Sequence, residues 1–247
     1  MKMRLSPTYQ NHLREWIKGV VILYSVLIGI FLISTIFLAF SVDGDAGQFN
    51  GLEFVSQMFI FVAGIVIFKP NLKMALANGI SRRTDFVVTL LVALTVSAVC
   101  MVLNNGINLL FSLTVPTYSE FYSTYGTYNF SNQGVYYLVK IIYEVLTNLY
   151  FFITGYFIGA LYYRMNRPLR IVVSISVPIL FLSGSGVAAY LAVRFEFWRN
   201  LFLWIGQTLS NILSSPYISL LAGLILHGLI VFFTYLLVRS APIREQG

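Results

Sequence analysis

Residues 70–85 read PNLKMALANGISRRTD. The stretch separates two long apolar runs, and with Lys69 just before it, Lys73, Arg82 and Arg83 make four positive charges between residues 69 and 83. Pro70 suits a first helical position, where its missing N–H costs nothing. Leu72, Ala75 and Leu76 share one face at i, i+3, i+4 spacing. Asn78-Gly79 reads as a helix stop, because glycine takes the left-handed conformation without a Cβ penalty. Ser81 can cap the helix that follows, and Asp85 lies near its positive N-terminal end. The spacing predicts a two-turn helix over about residues 70–79, capped at both ends and held at a membrane surface. An ordinary basic cytoplasmic loop is the plainer alternative.

Both flanks of this stretch read as membrane. The chain has 247 residues, of which 58% are hydrophobic and only 10% charged, with a mean hydropathy of +0.80. A soluble domain is usually about 25% charged. The apolar runs are too long for barrel strands, so the sequence predicts an all-α polytopic membrane protein. The single cysteine, Cys100, lies inside an apolar run, which leaves no intrachain disulfide framework and no cysteine-based metal site.

Residues 1–247 read as one transmembrane domain with six spans, at about 19–40, 52–68, 86–110, 135–161, 171–193 and 217–238. The first run is too long for a signal-peptide core and is expected to be retained. Residues 6–18, SPTYQNHLREWIK, read either as an N-terminal interfacial helix with Trp16 at headgroup depth or as a solvated lead-in. Asp43 and Asp45 mark a short acidic loop, and YSEFYSTYGTYNF forms the centre of a Tyr-rich one. Pro178 is an expected kink in the fifth span. Residues 195–216 are amphipathic and predict one or two short outer helices that dip into the leaflet and return.

Orientation follows from the distribution of Lys and Arg. With both termini cytoplasmic, 13 of the 16 fall on the inner side, the exceptions being Lys140, Arg194 and Arg199. Six of the nine acids, Glu53, Glu120 and Glu144 among them, fall outside or near the outer end of a span. The net charge of +7 is therefore a topology signal rather than a nucleic-acid footprint.

No GxxxxGK[ST] occurs, so the chain has no P-loop of its own. Two histidines, His12 and His227, without a cysteine pair make a zinc site improbable. Ser183-Gly184-Ser185-Gly186 with His227 is faintly similar to the Ser/His dyad of rhomboid intramembrane proteases, but Ser183 stands at the first glycine of their GxSG. Small residues in a span more often mark packing points.

Ionisable groups inside spans are functional candidates by default. Lys140 and Glu144 share a face at i, i+4 spacing, with Glu144 roughly 13 Å into the fourth span. His227 lies near the midplane of the sixth. These residues and Asn148 read as a polar lining for a substrate path. The structural alternatives are a self-satisfied Lys–Glu pair and a neutral imidazole bonded to a neighbouring helix. Asn104, Asn105 and Asn108, at the outer end of the third span, read as interhelical glue.

At residues 76–86, LANGISRRTDF, the chain resembles the permease subunits of type 2 ATP-binding-cassette transporters (type V exporters), and among them the small bacterial permeases, which carry an Asn-Gly-x-Ser-Arg stretch after a short helix. As architecture the resemblance covers the whole chain. As motif it covers about ten residues. It implies that the helix at 70–79 is a coupling helix seated on a separate ATPase dimer, through Leu72, Lys73, Leu76, Asn78, Gly79, Ser81, Arg82 and Arg83. It further implies a second permease subunit, identical or different, in a bacterial plasma membrane. On this reading the chain is not itself an enzyme and binds no cofactor, ATP and magnesium being held by the ATPase. The apolar spans and aromatic outer loop suggest an amphipathic peptide or hydrophobic compound as the exported substrate. A non-transporting immunity or sensor subunit is the alternative from another class.

Overall fold

The computed structural model describes residues 5–40, 52–113 and 117–240. These form eight α-helices: α1 (Leu5–Phe40), α2 (Leu52–Ala77), α3 (Arg82–Phe111), α4 (Glu120–Tyr125), α5 (Gln133–Arg164), α6 (Arg167–Arg194), α7 (Glu196–Leu213) and α8 (Pro216–Arg239). Among the described residues, four helices are long and apolar enough to cross a membrane: α2, α3, α5 and α8. The acidic loop with Asp43 and Asp45, and both chain ends, lie outside the described residues.

Two features differ from the sequence expectation. Residues 6–18 do not form a separate helix. They are the first turns of the 36-residue α1, because nothing between Trp16 and Val20 stops a helix. Pro70 does not open a new helix either, since α2 runs through it. Proline forfeits one intrahelical bond there, to the Val66 carbonyl. Its neighbours Asn71 and Leu72 are locked in the core, each 1% exposed, which holds the helix together across the break. Residues 195–216 hold one 18-residue helix, α7, within the one or two expected there. The Tyr-rich loop also contains a short helix, α4, that its turn-rich composition did not announce.

The centre of the molecule is the contact of α2 with α5, the most extensive in the fold. Glycine makes it possible. A Cβ placed on Gly155 would lie 2.1 Å from the Phe61 carbonyl oxygen, and one on Gly159 2.6 Å from that of Ile65. Gly64 on α2 faces the Phe152 carbonyl in the same way, at 2.6 Å. The GYFIG run at residues 155–159 is thus a small-x3-small crossing, the usual device for bringing two membrane helices to backbone contact. Around it Phe68, Phe86, Phe152 and Tyr156 fill the core.

The remaining helices build outward from that pair. α3 packs on α1, α2 and α5, and α8 packs on α5 and α3. α4 lies over one end of α5, where Phe121, Tyr125 and Val139 form a second, smaller core. α6 and α7 pack on each other, and α7 also reaches α8. α7 has no buried residue. Much of the outward surface is apolar, with Val66, Leu109, Ile175, Leu221 and Phe232 all more than half exposed, as suits a hydrocarbon surrounding.

Candidate functional site: the 78–81 turn and two buried polar networks

The link between α2 and α3 is four residues long and fixed at both ends. Gly79 has φ +66°, the left-handed conformation expected of it. The Ile80 amide donates to the Ala75 carbonyl (2.8 Å) and the Gly79 amide to that of Leu76 (3.1 Å). This pair of bonds is a Schellman closure. The Asn78 side chain adds a bond to the Met74 carbonyl at 2.8 Å. On the far side the Thr84 amide donates to Ser81 Oγ at 3.2 Å, so Ser81 is the N-cap of α3.

The residues expected to form one docking face divide in two. Leu72 is 1% exposed and belongs to the chain's own core, and Leu76 packs against that core. They face inward because α2 reaches the turn as an unbroken helix, with its apolar row still turned toward α5. Lys73, Asn78, Gly79, Ser81 and Arg83 are exposed. Arg82 is half-buried and donates to the Arg239 carbonyl at the end of α8 (2.9 Å). Arg164, at the end of α5, donates to Ser240 Oγ at 3.0 Å. The turn, the end of α5 and the end of α8 therefore gather at one end of the bundle.

Directly beneath the turn lies a polar cluster that the sequence reading did not assemble. His12 on α1, Asn71 on α2 and Asp85 on α3 are 1%, 1% and 0% exposed. His12 Nε2 is 3.8 Å from Asp85 Oδ1, and Asn71 Nδ2 is 3.4 Å from His12 Nδ1. Neither Asp85 carboxylate oxygen accepts a hydrogen bond among the described residues. The Tyr156 hydroxyl lies near both Asp85 and the Thr89 hydroxyl. A signal was present: His12 sits in the row of Tyr9, Trp16, Val20, Tyr24 and Leu27, which is the buried stripe of α1. A polar residue in an apolar row marks a buried partner.

The opposite end of the bundle holds a larger network, in which carboxylates are matched with side-chain amides. Asn108 donates to Glu53 (2.7 Å), Gln57 donates to Glu120 (2.7 Å), and Asn105 donates to Glu144. Lys140 donates to Asn105 Oδ1 at 2.7 Å and lies 3.6 Å from Glu144. Below these, the Tyr24 hydroxyl and Ser56 Oγ both donate to Asn104 Oδ1, at 2.7 and 2.8 Å. The three asparagines of α3 thus bind α1, α2 and α5 together. The row Glu53, Ser56, Gln57, Ile60 on α2 is buried throughout, and it is a second polar stripe that spacing alone could have exposed.

Of the four candidate path residues, Lys140 and Glu144 are turned into the contact of α5 with α3. Asn148 donates to the Ser97 carbonyl at 3.3 Å. His227 presents its ring nitrogens to two backbone carbonyls, Gly223 at 2.6 Å and Leu146 at 2.9 Å, and so ties α8 to α5. The structure therefore brings Lys140 and Glu144 together but gives Asn148 and His227 separate, helix-binding partners. The Ser183 hydroxyl, at the first-glycine position of the Ser-Gly-Ser-Gly run, donates to the Ile179 carbonyl of its own helix. The Ser185 side chain lies outside the described residues.

No family model, no curated protein and no solved structure matches the chain.

Proposed function

We propose that this chain is the membrane-spanning subunit of an ATP-driven exporter, and that the 78–81 turn docks a separate ATPase. The observation that carries the reading is the construction of the turn. It is closed by a Schellman motif on one side and a serine cap on the other, and it presents Lys73, Asn78, Ser81 and Arg83 outward. Under it, His12, Asn71 and Asp85 join α1, α2 and α3. A push on so short and stiff a link moves three helices together, whereas a floppy loop would absorb it.

On this reading α1 and α6 complete six spans. At 1.5 Å per residue, their 36 and 28 residues exceed the roughly 20 that a bilayer requires. The basic end of the bundle, with the turn, Arg164 and Arg239, faces the cytoplasm of a bacterial plasma membrane. A second permease subunit packs beside this one. The exported molecule is an amphipathic peptide or hydrophobic compound, in keeping with the aromatic end formed by Phe121, Tyr125, Phe130 and Tyr136.

The test is co-purification of the chain with its ATPase, matched for membrane expression. Wild type is expected to carry vanadate-sensitive ATP hydrolysis. Gly79→Val, which puts a β-branched residue where φ is +66°, and the double change Lys73→Glu/Arg83→Glu are each expected to lose it, while insertion persists. Retention of the ATPase and of full transport by both variants would overturn the reading.

A further inference from the structure

Among the described residues α1 meets α2 through Tyr24 and Ser56 (3.3 Å), through His12 and Asn71 (3.4 Å), and between these at Gly19, where a Cβ would stand 3.1 Å from the Phe59 ring. Beside the Gly19 contact a cavity of about 210 Å³ opens on the surface of the bundle. Trp16 and Gly19 of α1 line it, with Phe59, Ala63, Val66 and Pro70 of α2. None of these carries a charge, and the α2 part of the lining lies within a helix apolar enough to cross a membrane.

The row that walls the cavity does not end at Pro70. Phe59, Ala63, Val66, Pro70 and Lys73 are spaced 4, 3, 4 and 3 residues apart, so Lys73 is the next residue on the same face. Lys69 flanks it, and both lysines are exposed. From Phe59 to Lys69 the helix rises about 15 Å, which is the depth of one hydrocarbon leaflet. The lining also contains one backbone acceptor without its usual donor. Pro70 has no N–H, so the Val66 carbonyl lacks the i+4 amide that would normally occupy it.

An apolar slot one leaflet deep, with two cations at its mouth, matches an amphiphile with an anionic head and a hydrocarbon tail. We propose that this groove holds one acyl chain of an anionic glycerophospholipid, with its phosphate at Lys69 and Lys73. Both side chains are long enough to reach a headgroup at the interface while their stems stay against the tail. The lipid fills the space between the two polar contacts and so holds α1 against α2. Lys73 is shared with the turn proposed to dock an ATPase, so the lipid is tested on the purified chain with no ATPase present, where its outcome does not depend on the exporter reading.

The experiment is native mass spectrometry of the chain after exchange in nanodiscs of equimolar phosphatidylglycerol and phosphatidylcholine. Wild type is expected to retain one lipid, with phosphatidylglycerol preferred about 25-fold at low salt if each lysine contributes about fivefold. That preference should shrink as salt rises. Lys69→Gln/Lys73→Gln is expected to bring it near parity, and Ala63→Trp, which fills the slot, to abolish retention. If Ala63→Trp fails to fold, the lysine variant alone decides. Wild type that emerges free of lipid, or with no preference between the two, overturns the proposal. So does a dimer that Ala63→Trp dissociates, since the occupant would then be a second copy of the chain.

Discussion

The pair α2–α5 and the pair α6–α7 both carry glycines, yet they solve packing in opposite ways. In the first, glycines bring the backbones within touching distance, and a Cβ at Gly155 would meet the Phe61 carbonyl at 2.1 Å. In the second, Gly184, Gly186 and Gly206 have no atom within 4 Å of where a Cβ would stand. The first pair carries buried polar residues matched across helices. In the second, the ion pair of Glu196 with Arg199 sits on one helix and is largely exposed. A glycine in a membrane helix therefore has no fixed meaning. It marks a contact only where the facing helix offers backbone, and a chain can carry both kinds at the same residue frequency.

The contrast is broken most forcefully by giving both glycines a side chain. Gly155→Leu must separate α2 from α5, because the clashing atom is backbone and cannot rotate away. We expect a cost of about 3 kcal/mol or more, seen as loss of the monodisperse peak in size-exclusion after mild heating. Gly184→Leu, on the surface of α6, should leave that peak unchanged. Equal damage from the two would mean that α6 is as closely packed as α2, against the partner subunit of the proposed dimer.

A smaller effect separates the two ion pairs. Lys140→Met leaves Glu144, 7% exposed, without its cation, at an expected cost of about 3 kcal/mol as an upper figure. The double change Lys140→Met/Glu144→Gln should recover most of the loss, because Gln can still accept from Asn105. Arg199→Met should shift stability by no more than about 0.5 kcal/mol, since its partner is in solvent contact. Thermal unfolding of the three variants in one detergent gives the ranking. A double variant no better than Lys140→Met would show that the lysine is held by more than the carboxylate.

The same contrast explains how much of this protein could be read from its sequence. The helical class, the transmembrane character, the left-handed Gly79 and the cap at Ser81 all follow from local chemistry, which acts over a few residues and is written contiguously. Pro70 misled because its local preference for a helix start competes with long-range burial of Asn71 and Leu72, and burial prevailed. His12 and Asp85 lie 73 positions apart, and no local signal says which polar residue on one stripe will meet which on another. Lys140 and Glu144 were legible as a pair because a helix makes i, i+4 neighbours unavoidable. Their bond to Asn105 was not, because it depends on how α3 and α5 rotate against each other.

The finest test sets two serines against each other. Both precede a helix. Ser81 accepts the Thr84 amide at 3.2 Å, while Ser215, at the junction of α7 and α8, makes no side-chain cap bond. Pro216 opens α8 with no N–H of its own, and the Ser215 side chain takes neither of the next two amides, Tyr217 and Ile218, that a cap would accept from. Ser81→Ala should therefore cost about 1 kcal/mol, and Ser215→Ala close to nothing. The readout for Ser81→Ala is hydrogen exchange at the Thr84 amide, which should rise about fivefold on that estimate if α3 frays at its start. The stop at Gly79 should stay protected, because its two Schellman bonds are formed by backbone alone. If exchange rises across residues 75–85 together, the turn opens as one unit and the two caps are not independent. If it rises at neither serine, the link is held by the His12–Asn71–Asp85 cluster beneath it, and the caps serve only to aim the chain.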